Sequence, residues 1–457
     1  MKPLIIVTFL LLASLCKAQE KIFSEEEFTA VLKKYHPVAR QAELDVKIAQ
    51  AELLSTRGAF DPVLKMDNAR KEFNGINYYD DRVAEIKIPT WYGIDLHAGK
   101  ENITGSRINP EQTKGSLTFI GFSVPLVQNL LMDKRRAALK QAKIFRELSE
   151  AERRIVLNNL ILEGLKAYWD WWEQFQINGL MQAALENAEK RFKMVKTAHH
   201  LGDRPAIDTL EALTQVQSFL VKQNESYTAL IKTQLELSTF LWAENQLQYD
   251  LPNDVAPHQF TINEFFTMDA LIKSTQLHPE LVQYQFKLKG LEINRKLKFQ
   301  SLLPQFNLKY NQTGYSIGKT VNSPWFENNY RFGISFSMPL RLSEGRGEYQ
   351  KARFKIDQAR LEQVNKQVQL YNKVRQYYTE WQQTHKQLSV QNALAANIAA
   401  LQRGEETKFF NGESSLFLIN ARELKTFEAR QKSIELTAKN RKALISLKWS
   451  AGILDNY

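Results

Sequence analysis

The chain has 457 residues, 44% of them hydrophobic, and 61 Lys and Arg against 50 Asp and Glu, a formal net charge of +11. Its one cysteine excludes a disulfide framework, and no run beyond the N-terminal one is long and apolar enough for a transmembrane helix. The basic charges are interspersed with acids, as in KQAKIFRELSEAERR (140–154), which marks a solvated helix face rather than a nucleic-acid patch.

The N-terminus reads MKPLIIVTFLLLASLCKAQE, with Lys2 as the charged start, an apolar run over 4–15, and Cys16-Lys17-Ala18 before Gln19. That is a secretory signal peptide over 1–18. Its removal takes away Lys2, Lys17 and Cys16, and the charge falls from +11 to +9. Lipidation at Cys16 is the alternative, and Leu15 stands where such a signal wants a small residue. An exported chain without a helical span leaves three classes open: soluble periplasmic, secreted, or outer-membrane β-barrel.

Next comes a capping box, Ser24 with Glu27, opening a helix. Alternation from PVLKM at Pro62 to LTFIGFSVPL (117–126) predicts strands over about 62–126. Within it, DRVAEIKIPTWYGIDLHAGK (81–100) reads as a further strand pair around Pro89 and Gly93, whether in a wider barrel, a plug or rim, or a surface loop. A long helix follows over about 134–200, its seam being Ala138, Ala142, Phe145, Leu148, Ile155, Leu162 and Leu165 at steps of three, four or seven. At 1.5 Å per residue it is on the order of 100 Å long, too long to bury itself without neighbouring helices. Trp169, Trp171, Trp172 and Trp381 sit mid-helix and read as packing residues.

HHLGDRPAID (199–208) resembles a ligand cluster. Gly202 and Asp203 explain it better as a helix–helix turn, with Pro205 in the first turn of the next helix. Asp203, or Ser414 at the matching turn, is the expected cap. His199 and His200 have no third ligand in view, so no metal is expected. The second helix spans about 205–243, with Leu213, Val216, Leu220, Tyr227, Leu230 and Leu237 as its seam. A turn-rich linker then occupies 246–260.

Everything after the linker repeats what came before. His36-Pro37 returns as His278-Pro279, and Pro62 as Pro304; Tyr168, Trp171 and Gly202 return as Tyr378, Trp381 and Gly412. A second capping pattern runs from Thr261 to Glu264. The chain is therefore two copies of one unit, 19–245 and 261–457, the second with strands over about 304–340 and helices over about 346–410 and 415–450. Both strand regions end in Ser-x-Pro-Leu, at Leu126 and Leu340. A few strands cannot close a barrel alone, and open edges are forbidden in lipid, so several copies must pool them into a ring.

The doubled HP-x24-P unit, the Ser-x-Pro-Leu strand ends, the long helix pairs and the paired glycine turns make the chain similar to the TolC family of outer-membrane efflux proteins. The resemblance implies a membrane β-barrel joined to a long α-helical coiled-coil barrel, built as a homotrimer. It implies four strands per subunit in a twelve-stranded barrel. It also implies a periplasmic tip at Leu201, Gly202, Asp203, Asn411, Gly412 and Glu413, docking a periplasmic adaptor protein that links to an inner-membrane transporter. Where family members carry an acidic ring, this chain has Leu418 and Ala421. Asp208 and Glu211, three apart on one helical face, are the substitute candidates for the pore constriction, with Phe409, Phe410 and Phe417 as its apolar part. The alternative for Asp208 is a bond to Arg422.

The implied function is a passive exit duct in the outer membrane of a Gram-negative cell, extending into the periplasm. Efflux of small molecules and type I protein secretion share such a duct. A soluble periplasmic coiled-coil adaptor is the rival class. No nucleophile–base pair, P-loop or cofactor fingerprint is present, so neither an enzyme nor a cofactor is expected. Asp170 and Glu380 match in the repeat but lie within amphipathic helices, which argues against paired-carboxylate catalysis.

Overall fold

The computed structural model describes residues 21–252, 254–258, 265–315 and 329–454. The signal peptide and the capping pattern at Thr261 lie outside them. The chain divides into two compact units: a sheet unit, Leu44–Glu152 with Glu280–Asn365, and a helical unit formed by the rest.

In the sheet unit, strands β2 (Val63–Phe73), β3 (Ile76–Pro89), β4 (Asp95–Thr104), β5 (Gly115–Pro125), β7 (Gln305–Gly314) and β8 (Tyr330–Ser337) form one sheet in that order. Every pairing is antiparallel. Asn74 and Gly75 turn β2 into β3 with positive φ of 51° and 74°, the left-handed pair that a tight hairpin requires. The two halves of the chain meet where β5 pairs with β7, from Thr118↔Gly314 to Pro125↔Asn307. The resemblance implied four strands, and among the described residues the sheet has six. Segment 81–100 supplies most of β3 and β4, hydrogen-bonded in the body of the sheet between β2 and β5.

Alternation sorts the side chains onto two faces. One face carries Leu64, Met66, Ile86, Ile88, Leu96, Ile120, Phe122, Phe332, Ile334 and Phe336, all exposed. The other carries Lys65, Asp67, Glu85, Lys87, His97, Ser123, Asn307 and Lys309. Arg331 of β8 lies 3.7 Å from Glu101 of β4, reaching across β5 and β7. Such a contact requires the polar face to be concave.

The helical unit starts with β1 (Lys21–Phe23), which pairs in parallel with β6 (Val255–Pro257). Part of the expected linker is thus a strand. α1 (Glu25–Tyr35) carries the predicted box: Ser24 Oγ accepts from the Glu27 amide, and the Glu27 carboxylate accepts from the Ser24 amide, both at 3.1 Å. His36 then breaks the helix and α2 (Pro37–Arg57) begins. The break recurs between α5 (Met268–Thr275) and α6 (Pro279–Gln300), because proline removes a donor and disfavours helix before it.

The long helices are α3 (Lys134–His200), α4 (Ala206–Ser238), α7 (Ser343–Phe410) and α8 (Leu416–Ser450). The core of the helical unit gathers Phe28, Leu32, Leu165, Tyr168, Trp169 and Trp171, each at most 1% exposed. Two positions matched in the sequence make similar bonds. Tyr168 Oη donates to the Phe23 carbonyl (2.8 Å) and Tyr378 Oη to the Phe266 carbonyl (3.4 Å). Trp169 Nε1 donates to Glu25 at 3.3 Å, and burial pushes that carboxyl above its ordinary range against the opposing pull of Arg441.

The predicted seams are partly one residue off. Ala142, Leu165 and Leu237 are buried, but Phe145, Leu220 and Tyr227 are 43%, 45% and 52% exposed, and Ala138 is exposed too. Ala137, Leu139, Phe219 and Ser226 take the inner positions. A long helix carries more than one apolar stripe, and spacing alone does not say which one faces its own chain.

Candidate functional site

The two glycine turns fall at matching ends of the helix pairs. Gly202 and Gly412 have φ of +83° and +78°, a conformation that costs glycine nothing. Each turn closes with the same bonds: the Asp203 amide to the Ala198 carbonyl (3.0 Å) and Gly202 to His199 (3.0 Å), then Glu413 to Lys408 (2.8 Å) and Gly412 to Phe409 (3.0 Å). This pair of bonds satisfies the last carbonyls of a helix. The expected caps are corrected. Pro205 occupies the N-cap of α4 with no side-chain bond, so Asp203 does not cap it. Ser415 caps α8 by accepting from the Leu418 amide, while Ser414 donates to Glu405 at 2.6 Å.

Asp208 is paired with Arg204, one turn earlier on the chain, at 3.6 Å. The alternative bond to Arg422 is not made; Arg422 faces Glu405 at 3.7 Å. Arg204 in turn lies 4.3 Å from the centroid of the Phe409 ring, a cation–π distance. Phe409 packs on Val195, Ala212 and Leu416, and so belongs to the packing between the two hairpins. Glu211 accepts a bond from Asn420 at 3.4 Å. Phe410, Phe417 and Leu418 are 75%, 65% and 43% exposed. Phe417 also lines a groove of about 530 Å³ with Ile207, Leu210, Glu211, Asn420 and Leu424.

Just behind the turns lies a group that spacing alone did not reveal. Arg191 of α3 uses both terminal guanidinium nitrogens on Glu423 of α8, one at 3.0 Å, and donates to Asn420 at 3.2 Å. The Glu423 side chain is 1% exposed and that of Arg191 14%. This fork joins the first helix pair to the second. Two charged residues more than two hundred positions apart give no local signal; only the doubled architecture hints that they meet. Ile207 and Leu210, which carry no sequence signal either, stand exposed beside Leu201.

His199 Nδ1 bonds the Arg204 carbonyl at 2.9 Å, within the turn. Among the described residues no three His, Cys, Asp or Glu side chains gather as a metal site. Asp170 pairs with Lys442. Burial works against the Lys442 ammonium, but Asp170 and Glu173 outweigh it and hold the group above its ordinary range.

On the concave face of the sheet, His97 is buried and bridges three strands: Nδ1 to Glu85 of β3 at 2.6 Å and Nε2 to Ser123 of β5 at 3.1 Å. Lys87 and Arg135 both hold Asp95, at 3.0 and 2.8 Å.

A sheet with one apolar and one polar face, carried on one chain with long helix pairs closed by glycine turns, is a fold shared with solved outer-membrane channels. Residues 271–452 match the family model of the outer membrane efflux proteins, and the resemblance to the TolC family stands. The Neisseria gonorrhoeae MtrE outer membrane channel in its open state is similar at TM-score 0.67 with 15% identity, over 94% of this chain and 89% of that one. The Campylobacter jejuni CmeC outer membrane channel gives 0.65 and 12%, covering 94% and 86%. The outer membrane protein VceC of Vibrio cholerae gives 0.65 and 11%, covering 94% and 96%. No curated protein matches the chain.

Proposed function

We propose that this protein is the subunit of a homotrimeric exit duct in the outer membrane, a passive channel extending into the periplasm and serving a tripartite efflux pump. The observation that carries the membrane reading is the convex face. Ten large apolar side chains stand exposed on it while the concave face is charged. A soluble protein rarely leaves so large an apolar patch open, which weighs against the soluble adaptor. Among the described residues no helix is long and apolar enough to cross a membrane; the support for a crossing by strands is the apolar face itself.

Assembly is supported by two unsatisfied features. Among the described residues β2 and β8 each have one unpaired edge. Phe354, Leu361, Val364, Val368 and Tyr371 of α7, at steps of seven, three, four and three, are all exposed, the spacing of a coiled-coil seam awaiting a partner. The six turn residues from Leu201 to Asp203 and Asn411 to Glu413 would receive the adaptor, and Asp208, Glu211, Phe417 and Leu418 would narrow the pore beside them. Phe409, packed between hairpins, supports that constriction rather than lining it. The inner-membrane transporter supplies energy, and no cofactor, metal or nucleic acid enters.

Fractionation with heat-modifiable gel migration tests the class. Outer-membrane recovery and a faster-migrating unheated form are expected; a detergent-independent soluble protein overturns it. Deleting a neighbouring transporter gene separates efflux, read as drug accumulation, from type I secretion, read as loss of an exported polypeptide.

A further inference from the structure

We infer that the barrel is closed by eighteen strands, six from each of three copies, rather than by the twelve that four strands per subunit would give. This rests on the trimeric reading above. The inserted β3 and β4 are wall and not plug, for three reasons on independent footing. They are hydrogen-bonded along their lengths, β3 to β2 over Val63↔Lys87 through Phe73↔Ile76 and β4 to β5 over Asp95↔Ser123 through Ile103↔Gly115. They share the two-faced pattern of the other strands, with Ile86, Ile88 and Leu96 outward and Glu85, Lys87 and His97 inward. They are also locked laterally. His97 ties β3, β4 and β5 together, and Gly99 of β4 leaves so little room that an added Cβ would meet the Phe119 ring of β5 at 2.5 Å.

Closure is geometrically consistent. Six antiparallel strands in one sheet leave its two edges, β2 and β8, running in opposite directions, so β8 of one copy set beside β2 of the next continues the antiparallel order. Every residue of both edge strands is exposed in the single chain, as unpaired edges awaiting a neighbour would be. Strands about 4.8 Å apart and tilted by about 40° give a backbone diameter of about 36 Å for eighteen strands, against about 24 Å for twelve. Inward side chains take about 5 Å on each side, leaving a lumen of about 26 Å against about 14 Å. The outer opening then imposes no size selection on small-molecule cargo.

The test is imaging of the full-length protein purified in detergent, with disulfide trapping in the outer membrane. The one native cysteine, Cys16, lies in the expected signal peptide 1–18, away from the introduced pairs. A threefold ring about 36 Å across, the value from strand spacing and tilt, is expected. Lys65→Cys with Ser123→Cys, on β2 and β5, should not cross-link, because two strands separate them. A threefold ring about 24 Å across, by the same spacing, or an intrachain disulfide joining those two introduced cysteines in intact trimers, overturns the inference and leaves the duct standing. A particle without threefold symmetry overturns the duct reading and this one with it.

Discussion

The Arg191–Glu423 fork makes the sharpest energetic prediction. Removing Arg191 as alanine leaves a carboxylate whose side chain is 1% exposed without its main partner. Breaking one side of a buried pair costs about 3–5 kcal/mol, because the remaining charge stays desolvated. Removing Glu423 as leucine strands a guanidinium that is 14% exposed and still bonded to Asn420. Water and that amide soften the loss to about 1.5–3 kcal/mol, the range for hydrogen bonds to charged groups. The paired change Arg191→Met with Glu423→Leu removes both charges and fills the space, so it should stay within about 1 kcal/mol of the parent. Denaturant unfolding of the detergent-purified protein, followed by tryptophan fluorescence, measures all three. The order expected is Arg191→Ala worst, Glu423→Leu intermediate, and the pair nearly neutral. If the single losses are small, or the pair loses their full sum, the two residues do not act as a buried unit and the reasoning fails.

Four further outcomes follow from particular contacts. Asp208→Ala, which frees Arg204, should change the conductance and cation preference of the channel in planar bilayers; unchanged values would remove Asp208 from the constriction. Gly202→Ala and Gly412→Ala should each cost about 1–2 kcal/mol, the left-handed penalty for a Cβ, since nothing lies within 4 Å of the added atom at either site; equal stability to the parent would refute the turn geometry. Trp169→Ala should cost about 3–5 kcal/mol as a large core deletion, read by thermal unfolding, with a loss under about 1 kcal/mol contradicting its placement. His36 Nδ1 accepts from the Val38 amide at 3.2 Å, and burial holds the imidazole below its ordinary pKa of 6.5. A depressed base binds fewer protons folded than unfolded. Its contribution is therefore present above about pH 6.5 and lost as pH falls through the folded value. Stability measured from pH 8 down to 5 should drop, and His36→Asn, which keeps an acceptor for Val38, should flatten that drop; an identical profile in the variant would rule His36 out as its source.

Much of this was legible in one dimension. Pro37 and Pro279 begin helices and Pro62 and Pro304 precede strands, because proline's missing donor acts locally wherever it stands. Gly202 and Gly412 close helices for an equally local reason, and the matched ends of α3 and α7, at His200 and Phe410, follow from the repeat. The inner stripe of the helices, the cap at Ser415 rather than Ser414, and the partner of Asp208 were not legible, because each depends on the rotation of one element against another. The same limit applied to 81–100, which carries a strand pattern whether it forms a wall, a rim or a loop.

The sequence by itself determined the long helices and the strand regions, where proline and glycine break them, and that the strands have one apolar face. These follow from periodicity and from the backbone rules of proline and glycine. Only the tertiary structure decided that β3 and β4 stand inside the sheet and that His97 binds three strands. It also brought Arg191 to Glu423 and placed Phe409 between the hairpins. Those pairings join residues far apart along the chain, and their energy exists only once desolvated groups meet in one geometry.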